Sequence, residues 1–281
     1  MEQFASGWKR NYYGKGDVLV YRLNRDGKAP PGQSAVFGAS VLMLVYGDAF
    51  WPTYTSGDNT GLIATDSMKN FIQRETFSFA GDDLADYCKF LGTKFIDRYP
   101  QVEGVQVSAT AIPYAVIDSS LAFTPSGPER AMARVELGRR TIVEAVGGIR
   151  GFKLLRLGGS AFEGFVRDEY TTLPDIKNRP VHMWLDLEWR YTSPEAAFGC
   201  NGVTAQVRQI VRDVFRTFQS GSIQQVIYRM ATRLLEEITT VAEVHLEANN
   251  RTWIAVTERE DLGVYADPPP PYGCLGLRLK R

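Results

Sequence analysis

Apolar positions along the chain follow two rhythms. From Val18 to Leu23 and from Ala35 to Tyr46 the chain is rich in Val, Leu and aromatic residues, with Gly, Pro and Asp between the two runs, which predicts two strands and a loop. The rhythm then changes: Asp66 and Ser67 are placed to cap a turn beginning Met68-Lys69-Asn70-Phe71. After Gly81, Leu84, Tyr87, Cys88, Leu91 and Phe95 recur at helical spacing behind Asp82 and Asp83, and Pro100 closes the helix. Alternation returns over Val102 to Ile117 (Val105, Val107, Ala109, Ala111), followed by a further apolar run to Leu137.

The second half repeats this order without evident sequence identity. Thr141 to Leu157 and Val181 to Tyr191 read as strands, and Val203 to Phe218 and Ile223 to Ile238 as helices. One helix carries the stripe Val203, Val207, Ile210, Val211, Val214, Phe218; the other carries Val226, Met230, Leu234, Ile238, so each is expected to cover a sheet face. Val241 to His245, Thr252 to Val256 and Leu275 to Leu279 complete the strands, with Pro268 to Pro271 as a stiff connector. The pattern predicts an α+β chain in two equivalent halves, residues 1–139 and 140–281.

Composition narrows the function classes. The 281 residues, 44% hydrophobic and 23% charged, match ordinary soluble globular usage. Lys plus Arg and Asp plus Glu balance at 32 each, so no net field favours nucleic acid or an anionic membrane, and an anionic ligand needs a local site. Cys88, Cys200 and Cys274 are scattered without metal-ligand spacing, and their odd number points to a reducing compartment. No signal-peptide core, no span of ~20 apolar residues and no Ser-Lys-Leu ending is present, so a cytoplasmic location is expected. The sequence holds no Gly-x-Gly-x-x-Gly after a strand, no Walker loop and no His or Cys cluster; with His182 and His245 the only histidines, a His-based metal site or Ser-His-Asp triad has little material.

Three blocks carry a resemblance. Asp58 to Arg74 places Ala64-Thr65-Asp66-Ser67 between a strand-like run and a helix; Phe162 to Arg179 reads FEGFVRDEYTTLPDIKNR; and Tyr13-Gly14-Lys15-Gly16-Asp17 precedes the first strand. Together, and in their order along the chain, they resemble urate oxidase over nearly the whole chain. The resemblance implies a tunnelling fold in which each half is an antiparallel sheet backed by two helices. It also implies barrels closed by oligomerising, usually as tetramers built from dimers, with edge strands paired between subunits. The family uses neither metal nor organic cofactor, because the deprotonated purine supplies the electrons to oxygen.

The same resemblance implies roles for individual residues. Lys15, by itself a solvated lysine in a turn, and Thr65, by itself a helix cap, match the family's proton-moving dyad, with Asp66 beside them. Arg179 offers two parallel donors to a planar heterocycle, and Gln224 can donate and accept across the opposite ring edge; the pair resembles the family's pincer. Phe162 aligns with the phenylalanine on which the purine stacks, and Leu173 and Ile223 are expected to form an apolar wall. Most of Arg167 to Thr172 is assigned to loop architecture. The dyad comes from one subunit and the pincer from its neighbour.

One position departs from the family. Asn250 matches an asparagine that, with the threonine, holds oxygen or water above the ring, but two residues later the family's histidine is replaced by Thr252. A hydroxyl passes a hydrogen bond but cannot carry charge near neutral pH as imidazole does. The first expectation is cofactor-independent oxidation of urate, or a close 8-oxopurine, to a 5-hydroxylated product and hydrogen peroxide. The alternatives are a relative that oxidises another electron-rich heteroaromatic in a biosynthetic pathway, which Thr252 favours, and a purine-binding protein without catalysis, which retention of Lys15, Thr65 and Asn250 disfavours.

Overall fold

The computed structural model describes residues 4, 7, 9–31, 33–117, 121–199, 202–251, 253–259, 261–267 and 271–281. Thr252, Cys200 and most of the proline run therefore lie outside the described residues. The first half holds β1 (Tyr13–Leu23), β2 (Val36–Tyr46), α1 (Trp51–Ser56), α2 (Thr65–Glu75), α3 (Leu84–Arg98), β3 (Gly104–Ala111), β4 (Tyr114–Val116), β5 (Phe123–Pro125) and β6 (Arg130–Gly138). Then follow β7 (Ile142–Arg156), β8 (Val181–Tyr191), α4 (Val203–Thr217), α5 (Ile223–Glu237), β9 (Val241–Asn250), β10 (Ile254–Arg259), β11 (Leu262–Ala266) and β12 (Gly273–Lys280).

The chain forms two compact units, one of residues Met1–Gly148 with Arg190–Asn201 and one of Ile149–Trp189 with Gly202–Arg281. Of the three divisions two fall inside strands, in β7 and in β8, and the third just before α4, so the units and the sequence halves 1–139 and 140–281 partition the chain differently. In the first unit the strands run β1-β2-β3-β6 and on to the start of β7; in the second, the end of β7 is followed by β8, β9 and β12. The sheets are open, with β1 and β12 as end strands.

Register follows burial. Val41, Met43 and Val45 are fully buried at alternate positions of β2, and antiparallel pairing matches Val41 with Ala109 and Met43 with Val107 on β3. β3 pairs antiparallel with β6, from Gly104↔Gly138 to Thr110↔Met132. Helix α3 buries Tyr87, Cys88, Leu91 and Phe95 and packs on β3 and β6, each such large side chain contributing about 1.5–3 kcal/mol relative to exposure. Asp83 starts it by accepting from the backbone N–H groups of Ala85 and Asp86 at 2.8 and 3.0 Å. In the second unit α5 packs on β9 and β12, and α4 packs on α5.

Several details differ from the sequence expectation. Strand β1 begins at Tyr13, five residues before the apolar run, so Lys15 lies within a strand and not in a preceding turn. The apolar stretch from Val102 breaks at Ile112-Pro113, where proline removes a ladder donor, and a small β4–β5 hairpin intervenes before β6. In α4 the stripe closes with Phe215, because the helix ends at Thr217 and Phe218 becomes its cap. The run after Thr252 begins at Ile254 as β10 and pairs with β11 in a separate two-stranded ribbon. Neither β11 nor the short α1 has an apolar rhythm that announces it.

Candidate active site

In the first unit the Lys15 segment is shaped by a bulge. Tyr13↔Val45 and Lys15↔Met43 pair in register, then the ladder resumes at Val18↔Val41, one residue longer on β1 than on β2. The extra residue is absorbed by Asp17, the only described non-glycine residue with positive φ, at 51°. Gly14 is required just before the bulge, since a Cβ there would lie 1.8 Å from the Met43 carbonyl oxygen. The Gly-Lys-Gly-Asp block thus reads like a turn in sequence and forms an irregular strand in space.

A hydrogen bond ties this strand to the loop that enters α2. The Ile63 N–H donates to the Tyr13 hydroxyl at 3.0 Å, with Lys15 two residues beyond one partner and Thr65 two residues beyond the other. Tyr13 packs edge-on against buried Phe50, and burial pushes its phenol up to about 12, so it stays a neutral structural group. Sequence reading missed Tyr13; its spacing from Lys15 on one strand face was the available signal.

Helix α2 begins at Thr65 itself. Ala64 is the cap residue and offers no side-chain bond, so Thr65 is not the cap, and neither Asp66 nor Ser67 serves as one. Asp66 instead accepts from Lys69 at 2.5 Å and from Asn70 at 2.9 Å. Its pKa is lowered, chiefly by the hydrogen bond and charge of Lys69, with smaller contributions from Asn70 and Lys15. The hydroxyl of Thr65 makes no hydrogen bond among the described residues, and the first-turn N–H groups lack a side-chain acceptor. The half-buried lysine, this hydroxyl and the positive end of α2 suit an anionic, proton-exchanging ligand.

The second unit brings together the Phe162, Arg179 and Gln224 segments. Phe162 and Ile176 exchange backbone hydrogen bonds at 2.7 and 3.0 Å, Arg179 N–H donates to the Ser160 carbonyl at 3.0 Å, and Ala161 N–H donates to that of Ser220 at 2.8 Å. The Arg179 guanidinium stands 5.3 Å from the centre of the Phe162 ring; it is half-buried, and burial lowers its pKa. Phe165 stacks on Phe162 with ring centres 4.9 Å apart.

Helix α5 opens on Ser222, whose hydroxyl accepts from Gln225 N–H at 3.2 Å while the Gln225 amide oxygen accepts from Gly221 N–H at 2.8 Å. Gln225 is committed to the cap and Gln224 is not: Gln224 is exposed, with no hydrogen bond of its amide among the described residues. Ile223 belongs to the buried side of α5 at 3% exposure, whereas Leu173, 42% exposed, sits on the surface loop. Within that loop Asp168 and Thr171 close a turn on each other through bonds of 2.8–3.1 Å, an architectural role.

Asn250 ends β9, opposite Gly273 of β12. His245 lies five residues earlier on the same strand and so faces the other side of the sheet, where its Nε2 is 3.7 Å from a Glu247 carboxylate oxygen. His182 stands against Trp253, with ring centres 5.2 Å apart and its Nδ1 4.0 Å from the Asp267 carboxylate. Among the described residues no group of His, Cys, Asp and Glu is placed to hold a metal ion. Cys88 is buried, with its thiol pKa raised by desolvation, and Cys274 is exposed.

Comparison with known proteins finds relatives over most of the chain. A sequence profile described as Uricase matches residues 11–141 and 145–274. The uricase of Haloferax volcanii is 36% identical over 306 residues, covering 96% of this chain and 97% of that protein. The uric acid degradation bifunctional protein of Bacillus sp. TB-90 is 35% identical over 93% of this chain, which spans 58% of that longer protein. A hyperthermostable mutant of the TB-90 urate oxidase superposes with a TM-score of 0.89 at 34% identity, over 97% of this chain and 100% of that one. The uricase of Bacillus fastidious does so with 0.89 at 32% identity, over 97% and 94%. The family profile covers both halves of the sequence, the fold is shared, and the chain belongs to the uricase family.

Proposed function

We infer that the protein oxidises urate with molecular oxygen and water to 5-hydroxyisourate and hydrogen peroxide, a step of purine degradation. The observation that carries the site assignment is the Arg179 guanidinium over the face of Phe162, a half-buried fork beside an aromatic platform that suits a flat anionic heterocycle. Arg179 and Gln224 take opposite edges of the ring, and Phe162 takes its face. Lys15, as its unprotonated amine, accepts the proton that urate gives up, passed through the Thr65 hydroxyl, and the open amino end of α2 favours the resulting dianion. The electron-rich dianion reduces oxygen to peroxide, and water adds at C5 of the oxidised ring. Asn250, with Thr65, holds oxygen or water above that carbon.

In this reading Lys15 and Thr65 of one subunit face Arg179, Gln224 and Phe162 of its neighbour, and the active form is a homo-oligomer, a dimer of dimers. Supporting it, β1 is an end strand that exposes Leu19, Tyr21 and Leu23 at 53%, 48% and 58% on alternate positions, an apolar edge suited to a second copy. Oxygen uptake with urate by chelator-treated protein tests the reaction. Equal consumption of urate and oxygen with one peroxide formed per urate is expected, and turnover that requires an added metal would overturn the cofactor-free assignment.

A further inference from the structure

We propose that Arg156 is a positioning residue: through the single glycine Gly159 it fixes the spacing of Phe162, Arg179 and Gln224, and so sets affinity for the ligand without touching it. The proposal rests on the urate-oxidising reading above. Arg156 is the last residue of β7, and its guanidinium spends three hydrogen bonds on carbonyls: Phe215 at 2.8 Å and Phe218 at 2.6 Å, at the end of α4, and Gly159 at 2.8 Å. The first two are a helix-end cap, favourable for a cation at the negative end of α4. The third reaches away from the helix and needs the second arm of the fork.

Gly159 is a junction. Its φ is +78°, and a Cβ there would meet the Gln219 side chain at 2.6 Å, so glycine suits it on both conformation and space. Its carbonyl also accepts from Ser220 N–H at 3.1 Å, and its N–H donates to the Asn178 side-chain oxygen at 2.6 Å. From this point three segments are set. Ser160 bridges Ser220 and accepts from Arg179 N–H; Ala161 N–H, one residue before Phe162, donates to the Ser220 carbonyl; and Ser220 lies two residues before the Ser222 cap that presents Gln224. Arg156 and Asn178 hold the same glycine by its oxygen and its nitrogen. A shift at Gly159 therefore moves the platform, the fork and the opposing amide relative to one another, and a displacement of about 1 Å in a binding constellation is enough to weaken it strongly.

A purely structural cap would respond to the same substitutions differently, and two variants separate the roles. Arg156→Lys keeps a cation at the end of α4 but cannot reach the helix and Gly159 together; Asn178→Ala releases Gly159 from the other side and leaves the cap intact. For wild type and both variants, urate affinity is measured without oxygen, kcat at saturating urate, melting temperature, and hydrogen exchange of the Ala161, Arg179 and Ser220 amides. Both variants are expected to bind urate about five- to twentyfold more weakly, to keep kcat within about twofold and to exchange these three amides at least about fivefold faster, with little change in melting temperature. Unchanged exchange at the three amides, or wild-type affinity in both variants, overturns the proposal. If the wild-type protein does not bind urate, the functional reading falls, and the exchange rates still decide whether Arg156 and Asn178 hold this junction.

Discussion

Replacing Arg179 by lysine keeps the charge and removes the fork, which isolates the geometric part of ligand recognition. The backbone of Arg179 is held independently of its side chain by the 3.0 Å bond to the Ser160 carbonyl, so the substitution leaves the segment in place. Hydrogen bonds to charged groups contribute about 1.5–3 kcal/mol each, and lysine retains one of the two parallel bonds at best. Because the guanidinium is half-buried beside Phe162, the lost bond is only partly replaced by water, which puts the cost at about 2 kcal/mol. At 25 °C that is roughly a thirtyfold weaker dissociation constant. Equilibrium binding of urate in the absence of oxygen reads this directly, with melting temperature as the control for folding. An affinity within about twofold of wild type at unchanged stability would refute the pincer.

Lys15→Met should leave anaerobic urate binding intact and lower kcat by about 10²- to 10⁴-fold, since it removes the proton acceptor but none of the ring-holding groups; unchanged turnover would return Lys15 to the role of a solvated strand residue. Thr252→His distinguishes two substrates. In a urate oxidase working without its imidazole relay, the histidine should raise the urate rate by up to about a hundredfold, most near neutral pH; in a pocket fitted to another heterocycle, it should depress the native reaction and leave urate turnover negligible. Rates on urate and xanthine for both proteins, measured side by side, separate these outcomes. Gly14→Ala should destabilise the first unit and abolish activity together, because the added methyl meets the Met43 carbonyl; a variant that melts like wild type would show that β1 and β2 can part there without loss.

Regular elements were legible in the sequence wherever burial imposes a period. The stripes of α3 and α5 and the alternation of Val105, Val107 and Ala109 in β3 follow from buried positions, and β2 was legible from its apolar content. Irregular elements were not. The bulge at Lys15 to Val18 breaks the period of two and brings in glycines, so the strand looked like a turn until its partner on β2 was known. Thr65 and Asp66 looked like caps, because capping depends on the backbone angles of the preceding residue, which composition does not reveal. Gln224 and Gln225 are indistinguishable as letters; only the 2.8 Å bond from Gly221 to Gln225 shows which one is spent on the helix. Gly159 carries no sequence signal beyond Gly158 beside it, since its role depends on the side chains of Arg156, three residues before it, and Asn178, nineteen after it, converging on it.

The divided site is tested most directly by mixing two inactive proteins. Lys15→Met disables the proton-transfer half, and Arg179→Ala disables the ring-holding half. When the two chains are co-expressed with separable tags and pair at random about a two-fold axis, about half of the pairs are hybrids. Each hybrid has one site with both halves intact and one with neither, so about one quarter of wild-type turnover should return. Purified hybrids should carry about half. Activity that stays at the sum of the two parent variants, in hybrids confirmed to contain both chains, would contradict a site shared between neighbouring subunits.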